Sequence, residues 1–235
     1  MGNKINEHAI WTPIIDKIDA TIQQWEKTHP TIEGRRTIIQ CTIGSMTQYL
    51  TVAQGMPPDI KKTLVDRSRE FIWDNSKKPS ISMDILHTPI AEGGKKLLHL
   101  KSRNEAIKLM WLKSLLSPEE HCPQWAHFAH ALIAKYTAPN PVVHPNAWNN
   151  MFLQTWKPVI RKLPPPLQRI IKTARKYRTK WEANLIPPDI TQKLPIWFHI
   201  GAMPELSKWN NHYYTTCLHD RHNIRNIGDL QAITS

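Results

Sequence analysis

With 235 residues, 40% of them hydrophobic and 21% charged, the chain is long and apolar enough to bury a core, which excludes a disordered or membrane-embedded class. Thirty-one Lys and Arg against nineteen Asp and Glu give a formal charge of +12, which either attracts a polyanion, nucleic acid being the commonest one inside cells, or makes a generic basic surface that binds nothing specifically. Three scattered cysteines (Cys41, Cys122, Cys217) form no CxxC pair, no apolar run approaches the roughly 20 residues that span a bilayer, and residues 1–7 lack the apolar stretch of a signal peptide. These features predict an intracellular protein, of nucleus or cytoplasm, with neither a disulfide framework nor a membrane partner.

Trp11, Ile15, Ile18, Ile22 and Trp25 recur at helical spacing and predict a first amphipathic helix, broken by His29-Pro30-Thr31. A second helix carries Ile39, Ile43, Met46, Leu50 and Ala53 on one stripe and Gly34-Arg35-Arg36 in its opening turn. The short connection between the two predicts a helical hairpin. Pro57-Pro58-Asp59 opens a third helix with Ile60, Leu64, Ser68, Phe71 and Ile72 inward, and Lys61, Lys62, Arg67 and Arg69 outward. Residues 76–96 are irregular and read as an ordered loop or short hairpin. Helices are expected at 102–116 and 124–136. Three prolines without periodicity mark a linker over 137–147. Beyond it, Leu167, Ile170, Ile171, Ala174, Tyr177 and Trp181 predict a helix entered through Pro164-Pro165-Pro166, with weaker segments around Trp197-Phe198 and 206–219.

A catalytic constellation is hard to find. Two-metal chemistry needs clustered carboxylates, whereas the nine aspartates are scattered and no two are adjacent. Gly93-Gly94-Lys95-Lys96 is too short for a phosphate-binding loop and lacks the following Ser or Thr. No G-x-S-x-G elbow is present. Cys217, His219 and His222, with His212 near, match no zinc-module spacing. No metal, no cofactor and no catalytic residue is therefore expected.

Basic residues are the better signal. Between Ile160 and Trp181 stand eight Lys or Arg and no acid. Arg169, Lys172, Lys176 and Lys180 share the face opposite the apolar one, a stripe suited to phosphate contact through counterion release, or to simple solvation. Arg35 and Arg36 occupy a helix N-terminal turn, where free N–H groups and the dipole favour an anion. Gly34 would admit a sugar-phosphate backbone, or would let two helices approach.

The order of Trp25, Glu33-Gly34-Arg35-Arg36, Tyr49-Leu50, Met56-Pro57, Phe71-Ile72-Trp73, Pro89, Glu92-Gly93-Gly94 and Asn104-Glu105-Ala106 through Leu109-Met110-Trp111 resembles LINE-type (non-LTR) retrotransposon reverse transcriptases over about residues 10–136. In that family the corresponding stretch is the thumb and the region after it. Gly34-Arg35-Arg36 resembles the family's LxGR-like turn, with Ile32 and Glu33 in altered order. Glu92-Gly93-Gly94 resembles its P…EGG turn, with Lys95-Lys96 where apolar residues or Gly are commoner. A fainter likeness continues through Trp156-Lys157-Pro158, Pro195-Ile196-Trp197-Phe198-His199 and Ile227-Gly228-Asp229-Leu230.

The run of helical stripes and the scarcity of strand signals predict an all-α protein, with the linker over 137–147 and a basic, less regular helical module over 148–235, and the resemblance implies that the helical module over 1–136 is thumb-like. The family's palm, with its Tyr-x-Asp-Asp turn, has no counterpart here, so polymerisation by this chain is not expected. The implied function is sequence-independent binding of a primer–template duplex, RNA or DNA, by Gly34, Arg35, Arg36, Lys61, Lys62, Arg169, Lys172, Lys176 and Lys180. Three further readings remain open: a decayed gene fragment with no selected role, a part complementing a palm on another polypeptide, and a protein-interaction module using an exposed apolar face.

Overall fold

A computed structural model describes residues 7–74, 81–117, 121–137, 143, 145–177 and 188–234. The protein is all-α: helices dominate, and among the described residues the only β-type pairings are isolated bridges such as Thr137 with Pro158 and Gln154 with His199. Two compact units divide it, Met1–Met110 and Trp111–Ser235.

The first unit is built on α1 (Glu7–Glu26), a long helix of two registers (α2, Ile32–Ile39, and α3, Ser45–Gln54, joined by a π-turn at Gln40–Gly44), and α4 (Pro58–Ile72). Trp11, Ile18 and Ile22 of α1 meet Ile39, Ile43 and Leu50, then Ile60, Leu64, Phe71 and Ile72 of α4, in one buried cluster. Trp25 lies outside it: near the end of α1, the indole stays 45% exposed. The five positions of α4 expected to face inward are buried, and Ser68 satisfies its hydroxyl on the Leu64 carbonyl. The stripe on α3 differs from the simple 3.6-residue expectation. The π-turn adds a residue to one turn, so Thr47 and Thr51 are buried beside Leu50, while Ala53 is exposed. Both threonine hydroxyls donate to carbonyls four residues back, Ile43 and Thr47, which removes the cost of burying them. Gly55, at φ 79°, ends α3.

Two arginines hold the unit together. Arg35 is buried; Nε donates to the Pro30 carbonyl (2.9 Å), Nη1 to the Phe71 carbonyl (2.8 Å), and Nη2 lies 3.2 Å from Asp74 Oδ1. Phe71 supplies one of the unsatisfied carbonyls that every helix C-terminus leaves, so the guanidinium caps α4 from α2. Arg103 does the same for the π-turn. Its Nη1 donates to the Gly44 carbonyl (3.0 Å) and Nη2 to Thr47 Oγ1 (2.9 Å), and its burial lowers its pKa from the ordinary arginine value.

Within the stretch expected to be a loop or hairpin, residues 76–80 lie outside the described residues. Residues 81–96 contain two short helical turns: α5 (Met83–His87), capped by Ser82, and a 3-10 turn at Ile90–Glu92. The Glu92-Gly93-Gly94 turn needs both glycines. Gly93 is left-handed at φ 81°, and a Cβ on Gly94 would stand 2.2 Å from the Thr88 carbonyl oxygen. This tight turn returns the chain so that Leu97 and Lys95 both donate backbone N–H groups to the Leu86 carbonyl.

α6 (Leu100–Leu115) buries Ile107, Leu112 and Leu115, while Met110 is 52% exposed. The division between units falls inside α6, earlier than the linker read at 137–147. The reason is that α7 (Gln124–Lys135) is tied to the chain beyond it: Val159 donates to the Tyr136 carbonyl (2.8 Å), and Val143 and Ala147 are buried. Residues 138–142 and 144 of the expected linker lie outside the described residues.

The second unit turns on a buried amide. Gln154 Oε1 accepts from the backbone N–H of Asn149 (2.7 Å) and Asn150 (2.9 Å) and from Trp156 Nε1 (2.7 Å), while Nε2 donates to the carbonyls of Ala147 (2.8 Å) and Trp197 (2.7 Å). These bonds from one side chain fix separate stretches of irregular backbone whose polar groups no helix could satisfy. Two further helices, α8 (Pro165–Lys176) and α9 (Pro188–Thr191), come before α10 (Tyr213–Asp220) and α11 (Ile227–Thr234). Asn226 and Asp229 cap α11 reciprocally, which explains the Ile227-Gly228-Asp229-Leu230 motif as a helix start.

Arg35→Ala should cost about 2–4 kcal/mol, because it leaves a helix-terminal carbonyl and Asp74 without a partner. Amide exchange in α2 and α4 should accelerate accordingly; unchanged protection would contradict the clamp. Gln154→Leu should destabilise the second unit by a comparable amount, roughly 2–4 kcal/mol, through unsatisfied backbone groups, with Trp156 and Trp197 fluorescence shifting to the red. Retention of the native emission would remove Gln154 from that role.

Candidate nucleic-acid interface

The strongest basic surface is on α8, introduced by a 3-10 turn at Ile160–Lys162. Pro164, Pro165 and Pro166 start the helix without forfeiting hydrogen bonds, since first-turn N–H groups lack intrahelical partners in any case. Leu167, Ile170, Ile171 and Ala174 are buried. At about 100° per residue, Arg169, Lys172 and Lys176 fall within one narrow sector opposite them. Arg175 flanks this sector, and Arg161 and Lys162 stand exposed just before the helix. Lys172, Arg175 and Lys176 are exposed and Arg169 is half-buried. Lys176 places its Nζ 5.0 Å from the centre of the Tyr177 ring, next to the helix C-terminus, where the dipole favours a cation. Thr173, buried on the flank, returns its hydroxyl to the Arg169 carbonyl (2.9 Å). The structure therefore places three of the four expected stripe residues on one face; Lys180, and with it Trp181 of the apolar face, lies outside the described residues.

The candidates of the first unit do not form a comparable surface. Arg35, expected at a phosphate, is turned inward and engaged at Nε, Nη1 and Nη2, which assigns it to the fold. Gly34 donates its N–H to Thr31 Oγ1 (3.3 Å), and a Cβ there would stand 3.3 Å from Pro30 Cβ. Its lack of a side chain thus serves the turn before α2, and the helix-terminal N–H groups already have an N-cap. Arg36 is paired with Glu33 (3.2 Å), which also meets Lys95 (2.8 Å). The Lys95 hydrogen bond holds the Glu33 carboxyl below the ordinary range, so both basic groups face a carboxylate rather than an open site. Arg67 grips Asp19 through Nε and Nη2 and also meets Glu70, and the hydrogen bond to Asp19 raises its pKa.

Lys61 and Lys62 remain on the first two turns of α4, the former half-buried and the latter exposed. They stand about nine residues, or ~14 Å of helix rise, from the Phe71 end where α2 docks. Gly34-Arg35-Arg36 and Lys61-Lys62 consequently occupy different ends of α4.

The histidine and cysteine cluster near the C-terminus also resolves into structure. His219 is buried, its Nδ1 2.8 Å from Asp220 Oδ1 and its ring edge-on to Trp197 at 5.5 Å. Among the described residues no group of three or more His, Cys, Asp and Glu side chains is placed to hold a metal ion. One feature that sequence reasoning does not reach is a cavity of about 380 Å³ in the second unit, lined by Leu115, Cys122, His130, Ile133, Trp148 and Trp156 among others. The stacked indoles of Trp148 and Trp156, 5.3 Å apart, form one wall. The high tryptophan count is the available signal, but nothing in the spacing announces that these two meet. Among the described residues no helix is long and apolar enough to cross a membrane.

Since His219 is spent on packing, Cys217→Ser should leave the melting temperature of the purified protein within about 2 °C, as expected where no buried contact or metal bond is lost. Stoichiometric zinc that disappears with this substitution would contradict the structural assignment. No family model, curated protein or solved structure matches this chain.

Proposed function

We propose that this chain is a non-catalytic, retroelement-derived nucleic-acid-binding protein that grips the sugar-phosphate backbone of a primer–template duplex without reading its sequence. The observation that carries the reading is the face of α8: Arg169, Lys172 and Lys176 in one sector, flanked by Arg161, Lys162 and Arg175, with no acidic residue in the sequence between Ile160 and Tyr177. A solvated helix face ordinarily mixes signs, since interleaved acids relieve the repulsion between cations. A helix that carries no acid of its own gains more from a polyanion. Fifteen Lys and Arg against seven Asp and Glu in residues 111–235 place most of the chain's excess charge in the same unit. Reverse-transcriptase ancestry of the thumb type comes from the order of short motifs, and it supplies a duplex as the natural polyanion. In this reading Lys61 and Lys62 are secondary contacts, and catalysis, if the chain takes part in any, belongs to a palm on another polypeptide.

Fluorescence anisotropy with a short RNA–DNA duplex across a salt series tests this. Log affinity should fall linearly with log salt, and equally for unrelated sequences. Lys172→Glu with Lys176→Glu should weaken binding at least ten-fold and reduce the salt slope by about 2, one for each lost phosphate contact. Unchanged affinity in this variant, or absence of binding at low salt by the folded protein, would refute the proposal.

A further inference from the structure

A second surface of the Trp111–Ser235 unit carries aromatic rings in place of charge. Trp209 lies on the 3-10 helix Pro204–Asn211, and Tyr213 and Tyr214 open α10, with His212 between the two elements. Ring centroids are 5.0 Å apart from Trp209 to His212, 5.3 Å from His212 to Tyr214 and 5.6 Å from Tyr214 to Tyr213, a continuous series of π-systems. Yet these rings are not core. Trp209 is 47% exposed, Tyr213 76% and Tyr214 70%.

The backbone beneath them is fixed. Thr215 Oγ1 donates to the carbonyls of Trp209 and His212, which closes the turn on which the rings stand. Asn210 Oδ1 accepts the N–H of buried Phe198 (2.9 Å), tying the same turn to the core of the unit. Aromatic side chains have few rotatable bonds, and on a fixed backbone they are presented at little further entropic cost. The Lys208 ammonium sits 5.6 Å from the centre of the Trp209 ring, so a cation accompanies the series. The acids nearest along the chain, Glu205 and Asp220, stand beyond its two ends.

We propose that Trp209, Tyr213 and Tyr214 form a stacking platform for unpaired bases of single-stranded nucleic acid. Paired bases hide their faces within the duplex, whereas an unpaired base offers both, and aromatic platforms beside cations are how single strands are held irrespective of sequence. Charge selects the occupant: the unit holds fifteen basic against seven acidic residues, so a polyanion is drawn to it where an apolar protein surface is not. This inference rests on the nucleic-acid reading of the chain and extends it from the duplex on α8 to a single-stranded template or primer overhang.

The test uses the full chain, a single-stranded 12-mer carrying 5-iodouracil, and a blunt duplex. Photocrosslinks mapped by mass spectrometry should fall on Trp209, Tyr213 or Tyr214. Replacing all three by Ala should weaken single-strand binding ten-fold or more and leave duplex affinity within about two-fold, because each stacked base contributes separately. Tyr213→Phe with Tyr214→Phe keeps the rings and should retain single-strand affinity, which separates stacking from disturbance of the turn. Crosslinks elsewhere with single-strand affinity unchanged by the Ala variant would overturn the platform while leaving the α8 proposal standing. If the Ala variant instead loses concentration-dependent self-association and binds single strands as before, the rings serve a protein contact and the platform is wrong. Failure of the unmodified protein to bind either probe would refute both proposals.

Discussion

A guanidinium leaves water at great cost unless its N–H groups find acceptors, and this constraint sorts the cations of the chain into two sets. In Met1–Met110, Arg35 and Arg103 enter the interior and meet carbonyls and hydroxyls, while Arg36, Arg67 and Lys95 meet carboxylates near the surface. Their work is to satisfy what helices leave open: the C-terminus of α4, the carbonyl at the π-turn, the approach of α1 to α4. In Trp111–Ser235 the arrangement is different. Gln154, a neutral amide, does the corresponding work at the centre, and the cations of α8 line its outer face.

That division bears on function. A basic residue that is built into the fold gains little from a phosphate, because the new contact must first break the old one. The net charge of +12 is thus a poor guide by itself, since cations from the same sequence perform structural tasks in one unit and line an exposed helix face in the other.

Much of the fold is legible in the sequence. The apolar spacing of α4 identifies every buried position, because a straight helix with a proline start has one register and no competing face. The amphipathic α8 is equally clear, since charge and apolarity separate cleanly at 3.6 residues per turn. The illegible parts arise from events that periodicity does not encode. The π-turn at Gln40–Gly44 shifts the stripe on α3, and no residue type there announces it. The Glu92-Gly93-Gly94 turn can be recognised as a motif, but its reason, the Thr88 carbonyl lying where a Cβ would be, is visible only in the folded turn. Arg35 reads as a ligand residue because a basic group at a helix N-terminus suits an anion. Its acceptor at Phe71 lies 36 positions further on, and long-range hydrogen bonds leave no local trace. Gln154 gives no sign of its role for the same reason, and the aromatic series at 209–214 is inconspicuous because short irregular helices carry weak periodicity.

In the proposed reading, the basic face of α8, and not the arginine turn of α2, meets the nucleic-acid backbone. Hydrogen–deuterium exchange of the full chain, with and without a saturating RNA–DNA duplex, tests this most directly. Exchange should slow across residues 160–177 and stay unchanged over 31–39, where Arg35 is already bound to the fold. Protection confined to 31–39 or to α4, with 160–177 unaltered, would contradict it.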